Sequence, residues 1–244
     1  MFDNSETGEY RGYNSEQFVF DGKHCTVVFP DSLSEGNKWI WRTEFLGAFD
    51  SVDTDMLSKG YALAYISVSN MYGHPDAVRT MKKFRDFMTE HGFNEKTVLF
   101  GFSRGGLYAF NYALKYPDTV AALYLDAPVL DIKSWPGGLG KGVGAPREFE
   151  ECLSIYGLDK SSVLSFRQNP SDKLEQLLSL HIPVALVAGD SDRTVPYEEN
   201  GKLLENTYKN GGGDILCIVK KGCDHHPHSL SDPSPISDFL CKRY

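Results

Sequence analysis

Five short runs of this chain, "YALAYISVS", "TVLFGF", "VAALYLDAP", "IPVALVAGD" and "DILCIVKKG", are apolar along most of their length. A strand with one wet face alternates apolar and polar residues. A strand that does not alternate must be covered on both faces, and parallel sheets flanked by helices supply that cover. The segments between the runs have helical spacing. "HPDAVRTMKKFRDFMTEHG" repeats its apolar residues near every 3.6 positions, with Pro75 in the first turn and Gly92 after the end. "GGLYAFNYALKYP" and "PYEENGKLLENTYKN" read as helices, residues 43–58 as another, and "DPSPISDFLCKRY" as the closing one. Upstream, "QFVFD" and "HCTVVFP" flank Asp21-Gly22-Lys23, a hairpin signal, and "KWIW" is a further strand. The expectation is an α/β chain with a mostly parallel central sheet and helices on both faces. Residues 1–244 read as a single domain. Residues 128–180 interrupt the alternation with the loop "VLDIKSWPGGLGKGVGAP" and short helical segments around Glu148–Tyr156 and Lys173–Leu180, a small cap- or lid-like insertion.

Ligands of such sheets bind beyond the carboxyl ends of the strands. Three of those ends carry a serine, an aspartate and a histidine, in that order. The first is Gly101-Phe102-Ser103-Arg104-Gly105, a G-x-S-x-G between a strand and a helix. That context puts a serine on a sharp turn with its hydroxyl exposed. The alternative is a glycine-rich turn that only packs helix on sheet. The second end, Gly189-Asp190-Ser191-Asp192, offers a carboxylate to orient an imidazole. Asp192 is preferred because it lies further out, while Asp190 suits a turn cap. The third is Cys223-Asp224-His225-His226-Pro227-His228. His225, the first imidazole to leave the last strand, is the expected general base, and His228 is held in reserve. Three histidines so close also invite a metal reading, but no second ligand cluster accompanies them in the sequence, so no metal is expected.

The order Ser, Asp, His along the chain resembles an α/β-hydrolase, from "HCTVVFP" to the last helix. "GFSRGG", "GDSDRTVP" and "GCDHHPHSL" carry the resemblance most specifically. "GFSRGGLYAF", "DAPVLD…SWPGG" and "HHPHSL" together are similar to a bacterial branch of esterase- or lipase-like hydrolases regarded as acting on carbohydrate esters. The resemblance implies the α/β-hydrolase fold, no cofactor and an acyl-enzyme mechanism on a small-molecule ester. It also implies two oxyanion-binding N–H groups, that of Arg104 and one from the early strand-to-helix stretch "KWIWRTEF", at Trp41 or Arg42, with Trp41 preferred. Arg42 is expected to meet an acidic substrate or anchor its loop, and Tyr72 and Trp135, on loops overhanging the serine, either to stack on a substrate ring or to tack those loops onto the body. Asp126 stands where some members of the superfamily keep their acid. Two departures are visible: Asp224 replaces the glycine commonly found before the histidine, and the lipase-type "HGGG" signature is absent. Serine peptidase chemistry, or ligand binding without turnover, are the alternatives on the same fold.

The net charge of −8, with no block of Lys and Arg, argues against nucleic acid and anionic membrane as partners. The polar, acidic start "MFDNSETGEYRGYN" has no signal-peptide pattern. Five cysteines without paired spacing suggest a reducing compartment, so a cytoplasmic location is expected. Oligomeric state is not legible.

Overall fold

A computed structural model describes residues 2–244. In chain order the elements are β1 (Glu6–Tyr10), β2 (Tyr13–Phe20), β3 (Lys23–Val28), β4 (Trp39–Arg42), α1 (Ser51–Ser58), β5 (Ala62–Ile66), α2 (Pro75–Glu90), β6 (Thr97–Phe102) and α3 (Gly105–Lys115). They continue with β7 (Val120–Asp126), α4 (Pro146–Tyr156), α5 (Leu174–Ser179), β8 (Val184–Gly189), α6 (Gly201–Gly211), β9 (Ile215–Lys220) and α7 (Ser234–Cys241). The strands form one sheet in the order β1-β2-β3-β5-β4-β6-β7-β8-β9. Pairing is antiparallel from β1 to β5 and parallel from β5 to β9.

Period-2 side-chain alternation splits the apolar residues into two cores, one on each face. Trp39, Trp41, Leu99, Leu123, Leu125 and Leu186 join α2 and α3 on one face. Ile40, Val98, Phe100, Tyr124, Ala185 and Val187 join α1 and α7 on the other. Strands β6, β7 and β8 are buried at every position, which is why they do not alternate.

The hairpin joins β2 to β3 through Asp21-Gly22, with Lys23 already paired to Phe20. Both loop residues have positive φ, as a turn matched to strand twist requires. β1 has no signature in the sequence: its residues, "ETGEY", are exposed or partly exposed and show no apolar face. The helix expected over residues 43–58 is shorter. Residues 43–50 are loop, and α1 begins only at Ser51. Phe45 and Phe49 sit at helical spacing but serve as exposed-edge loop residues, both with positive φ. No helix among the described residues is long and apolar enough to cross a membrane.

The topology places a crevice. From β4 the chain crosses to β5 on one side, whereas from β6 it crosses to β7 on the other. β4 and β6 are neighbours, so their carboxyl ends flank the switch point where connections diverge.

Candidate active site

Ser103 follows β6 at this switch point. Its φ of +50 is a left-handed conformation uncommon for a residue with a side chain. The backbone holds it there: the Ser103 N–H donates to Asp126 O at 2.9 Å, and its carbonyl accepts from Val129 N–H at 2.8 Å and Gly106 N–H at 3.0 Å. Three glycines make the bend fit, each against a different neighbour. A Cβ on Gly101 would come within 2.9 Å of Ala109 Cβ and Leu125 Cδ2. One on Gly105 would meet Thr43 Oγ1 at 2.9 Å, and one on Gly106 would meet Pro128 Cβ at 2.6 Å. The glycines thus let β6, the loop after β4 and the loop after β7 all close around the serine.

Ser103 Oγ lies 3.0 Å from His225 Nε2. His225 Nδ1 lies 2.7 Å from Asp192 Oδ2. A carboxylate only accepts, so Nδ1 carries the proton and Nε2 presents its lone pair to the serine hydroxyl. Asp192 Oδ1 in turn accepts from the Thr194 and Val195 N–H groups at 2.9 and 2.8 Å. Both the His225 and Asp192 side chains are buried. Asp190 is not part of this line: it accepts from Gly222 N–H at 2.7 Å and from the Ser191 hydroxyl at 2.9 Å, closing the turn after β8.

Asp224, where the resemblance leads one to expect glycine, ties the two loops together. Its carboxylate accepts from Arg193 N–H (2.9 Å), Arg193 Nε (2.7 Å) and His225 N–H (2.8 Å). The backbone N–H groups of Arg193 and His225, with the Arg193 guanidinium, pull its pKa down to about 2. The substitution therefore gives the histidine loop a latch onto the aspartate loop.

A family model described as "alpha/beta hydrolase fold" matches residues 69–144, the stretch that includes the Ser103 turn. Solved structures of this architecture match nearly the whole chain. A puromycin-hydrolyzing peptidase of Mycobacterium tuberculosis superposes with a TM-score of 0.68 at 13% identity, over 93% of this chain. The chain has the α/β-hydrolase fold. Est1E from Butyrivibrio proteoclasticus gives 0.62 at 16% identity, covering 94% of this chain and 98% of that one. An S-formylglutathione hydrolase from Agrobacterium tumefaciens gives 0.61 at 14%, covering 97% and 95%. The chain spans only 38% of the length of the mycobacterial peptidase. No curated protein sequence matches it.

Set on this fold, the remaining expected site residues divide. Trp41 is not at the site. It is fully buried inside β4, paired on both sides with Ala64 and Leu99, and packs on Trp39, Phe84 and Tyr112. The strand runs one residue further than "KWIW", and alternation puts Trp41 on the core face with Trp39. The loop that reaches the serine is Thr43-Glu44-Phe45. Phe45 lines the cavity, and among the described residues neither its N–H nor that of Arg104 has a hydrogen-bond acceptor.

Arg42 does not face a substrate either. Its guanidinium is fully buried, with Nε 2.7 Å from Asp53 Oδ1 and a terminal nitrogen 2.6 Å from Oδ2. It lies 3.8 Å over the Phe102 ring and donates to the carbonyls of Ala48 and Phe49. It anchors the loop that carries Phe45 and Phe49. Removing one partner strands a charge in the interior, so Asp53→Ala is expected to destabilise the fold by about 3–5 kcal/mol. Urea unfolding would measure this, and a loss under about 1 kcal/mol would contradict it.

Tyr72 is buried, with φ of +48, and donates its hydroxyl to Glu151 at 2.6 Å. It supports Trp135 from behind, ring centroids 6.3 Å apart, and does not line the cavity beside Ser103. Trp135 does line it. The cavity is about 370 Å³ and is walled by Phe45, Phe49, Phe102, Trp135 and His226 around Ser103 and His225.

Two features went unread in the sequence. Glu44 lies under the serine turn, buried, with Oε2 3.3 Å from the Arg104 guanidinium and from the Ser69 hydroxyl. Burial raises its pKa against the opposing pull of Arg104. A carboxylate two positions beyond the end of a buried strand was the available signal. The second is a buried pair behind the first histidine: His228 Nδ1 lies 2.8 Å from Asp126 Oδ1, and Asp126 Oδ2 accepts from Ser229 N–H and the Tyr124 hydroxyl. The reserve base and the alternative acid thus pair with each other and not with Ser103.

Proposed function

We propose that this protein is a serine hydrolase of carboxylic esters, with Ser103 as nucleophile, His225 as general base and acid, and Asp192 orienting the imidazole. The observation that carries the reading is the continuous line Ser103 Oγ–His225 Nε2–Asp192, at 3.0 and 2.7 Å, opening on an apolar cavity.

The chemistry proceeds in two steps. His225 Nε2 takes the Ser103 proton as Oγ attacks the ester carbonyl carbon. The carbonyl becomes an oxyanion facing the Arg104 N–H and, in place of the expected Trp41, the Phe45 N–H. Each such donor is worth about 3–4 kcal/mol in other hydrolases. The intermediate collapses to the acyl-enzyme as the alcohol leaves with the proton from His225. Water then repeats the sequence on the acyl-enzyme, releasing acid and free Ser103. Apart from the ester and water, every group in these steps is a residue of this chain.

The cavity wall favours an apolar acyl group, because Phe45, Ala48, Phe49, Phe102 and Trp135 offer surface and few hydrogen bonds. A sugar alcohol, part of the expectation from sequence, would sit outside that pocket. Residues 128–180 enter the proposal as a cap over the site, with Trp135 as the residue that reaches the cavity.

The test is labelling by a fluorophosphonate, located by peptide mass spectrometry, together with a screen of aryl esters of graded acyl length, acetylated sugars and aminoacyl amides. Labelling at Ser103 and ester turnover are expected. Absence of labelling, or a preference for amides, would overturn the ester reading.

A further inference from the structure

His225, His226 and His228 enclose one corner of the cavity. Their ring centroids lie 4.9, 4.8 and 4.9 Å apart pairwise, with interplanar angles of 62°, 81° and 89°. Each offers a ring nitrogen, and the three nitrogens lie within 4.8 Å of one another. A tetrahedral ion bound at 2.0–2.1 Å holds its donor nitrogens about 3.4 Å apart, so the three rings would close inward from this spacing to meet one ion.

The surroundings prepare two of the three. Asp192 accepts from His225 Nδ1 and Asp126 accepts from His228 Nδ1. Both Nε2 lone pairs are therefore free of the proton, the carboxylate–histidine arrangement that orients imidazoles for metals. His225 Nε2 meets Ser103 Oγ, while His228 Nε2 has no partner among the described residues. His226 is exposed and stacks on Phe49 at 5.3 Å, so its ring is free to supply the remaining adjustment. The two buried carboxylates also offset the charge of a divalent ion.

We propose that these three imidazoles form a binding site for a divalent transition ion such as Zn²⁺, and that the bound ion takes the Nε2 lone pair the base needs, so that metal and turnover exclude each other. The second half rests on the serine-hydrolase reading. The first half does not.

Calorimetric titration of the chelator-stripped protein with ZnCl₂ tests the site. One Zn²⁺ per chain is expected, with a matching visible band when Co²⁺ replaces it. His226→Ala, at an exposed position, and His228→Gln should each weaken binding by about tenfold or more, since even outer-shell changes cost that much. Circular dichroism and the melting temperature report whether each variant is folded. Fluorophosphonate labelling should fall in step with Zn²⁺ occupancy and return with EDTA. No saturable binding, or binding unchanged in His226→Ala, would overturn the site. Labelling that persists at full occupancy would overturn the exclusion. A protein that binds Zn²⁺ through these histidines but never labels would sink the hydrolase reading while supporting the site.

Discussion

Ser103→Ala is expected to lower kcat on an aryl ester by about 10⁴- to 10⁶-fold and to abolish fluorophosphonate labelling. The size follows from what the substitution removes and what it leaves. It deletes the hydroxyl that stands 3.0 Å from His225 Nε2. The backbone is pinned independently of the side chain, by Asp126 O, Val129 N–H and Gly106 N–H. Alanine at a φ of +50 is strained no more than serine already is, so the turn and the free Arg104 N–H should persist. A residual rate above water, from the oxyanion donors and the cavity, is therefore expected. Full labelling of the variant, or a loss of activity under tenfold with the fold intact, would remove Ser103 from the mechanism. It would leave the glycines of this turn as packing devices only.

The parallel sheet was legible because burial on both faces removes alternation, and no other common arrangement of β6, β7 and β8 does that. The Ser103 turn was legible because three close approaches leave no room for a Cβ at Gly101, Gly105 or Gly106, and such a constraint writes itself as glycine. The loop after β4 was not. Phe45 and Phe49 are four apart, which imitates a helix face, yet both have positive φ and their loop is set by a long-range pair, Arg42 to Asp53. Trp41 was expected at the start of a loop that begins only after Arg42: β4 keeps its backbone in the sheet, paired with Ala64 and Leu99, and Phe45, the residue of that loop that lines the cavity, stands four positions on. Polar strand β1 carries no apolar face to read, since its stability comes from pairing with β2. The order of aspartate and histidine on later strand ends was visible. That Asp126 would take His228, leaving Asp192 for His225, depends on how β7, β8 and the last loop converge in space.

That division of partners gives the second large effect. Asp192→Asn is expected to lower kcat by about 10⁴-fold, with a much smaller change in KM. An asparagine side chain can turn its NH₂ toward His225 Nδ1, which then has to accept, and the proton moves to Nε2. The imidazole would face Ser103 as a donor and be unable to take its proton, and the imidazolium formed during attack would lose its counter-charge. The Thr194 and Val195 N–H groups, which now point at Asp192 Oδ1, would still find the amide oxygen, so the loop should stay folded. Asp126→Asn has a different signature. Asp126 binds His228, Ser229 and Tyr124, and its carboxylate touches neither Ser103 Oγ nor His225. Its loss should lower stability by about 1–3 kcal/mol through buried groups left unpaired, with a far smaller fall in kcat. Steady-state kinetics and urea unfolding of the two variants side by side separate the roles. If Asp126→Asn proved the more damaging to kcat, the acid of the mechanism would lie at the end of β7 and not after β8.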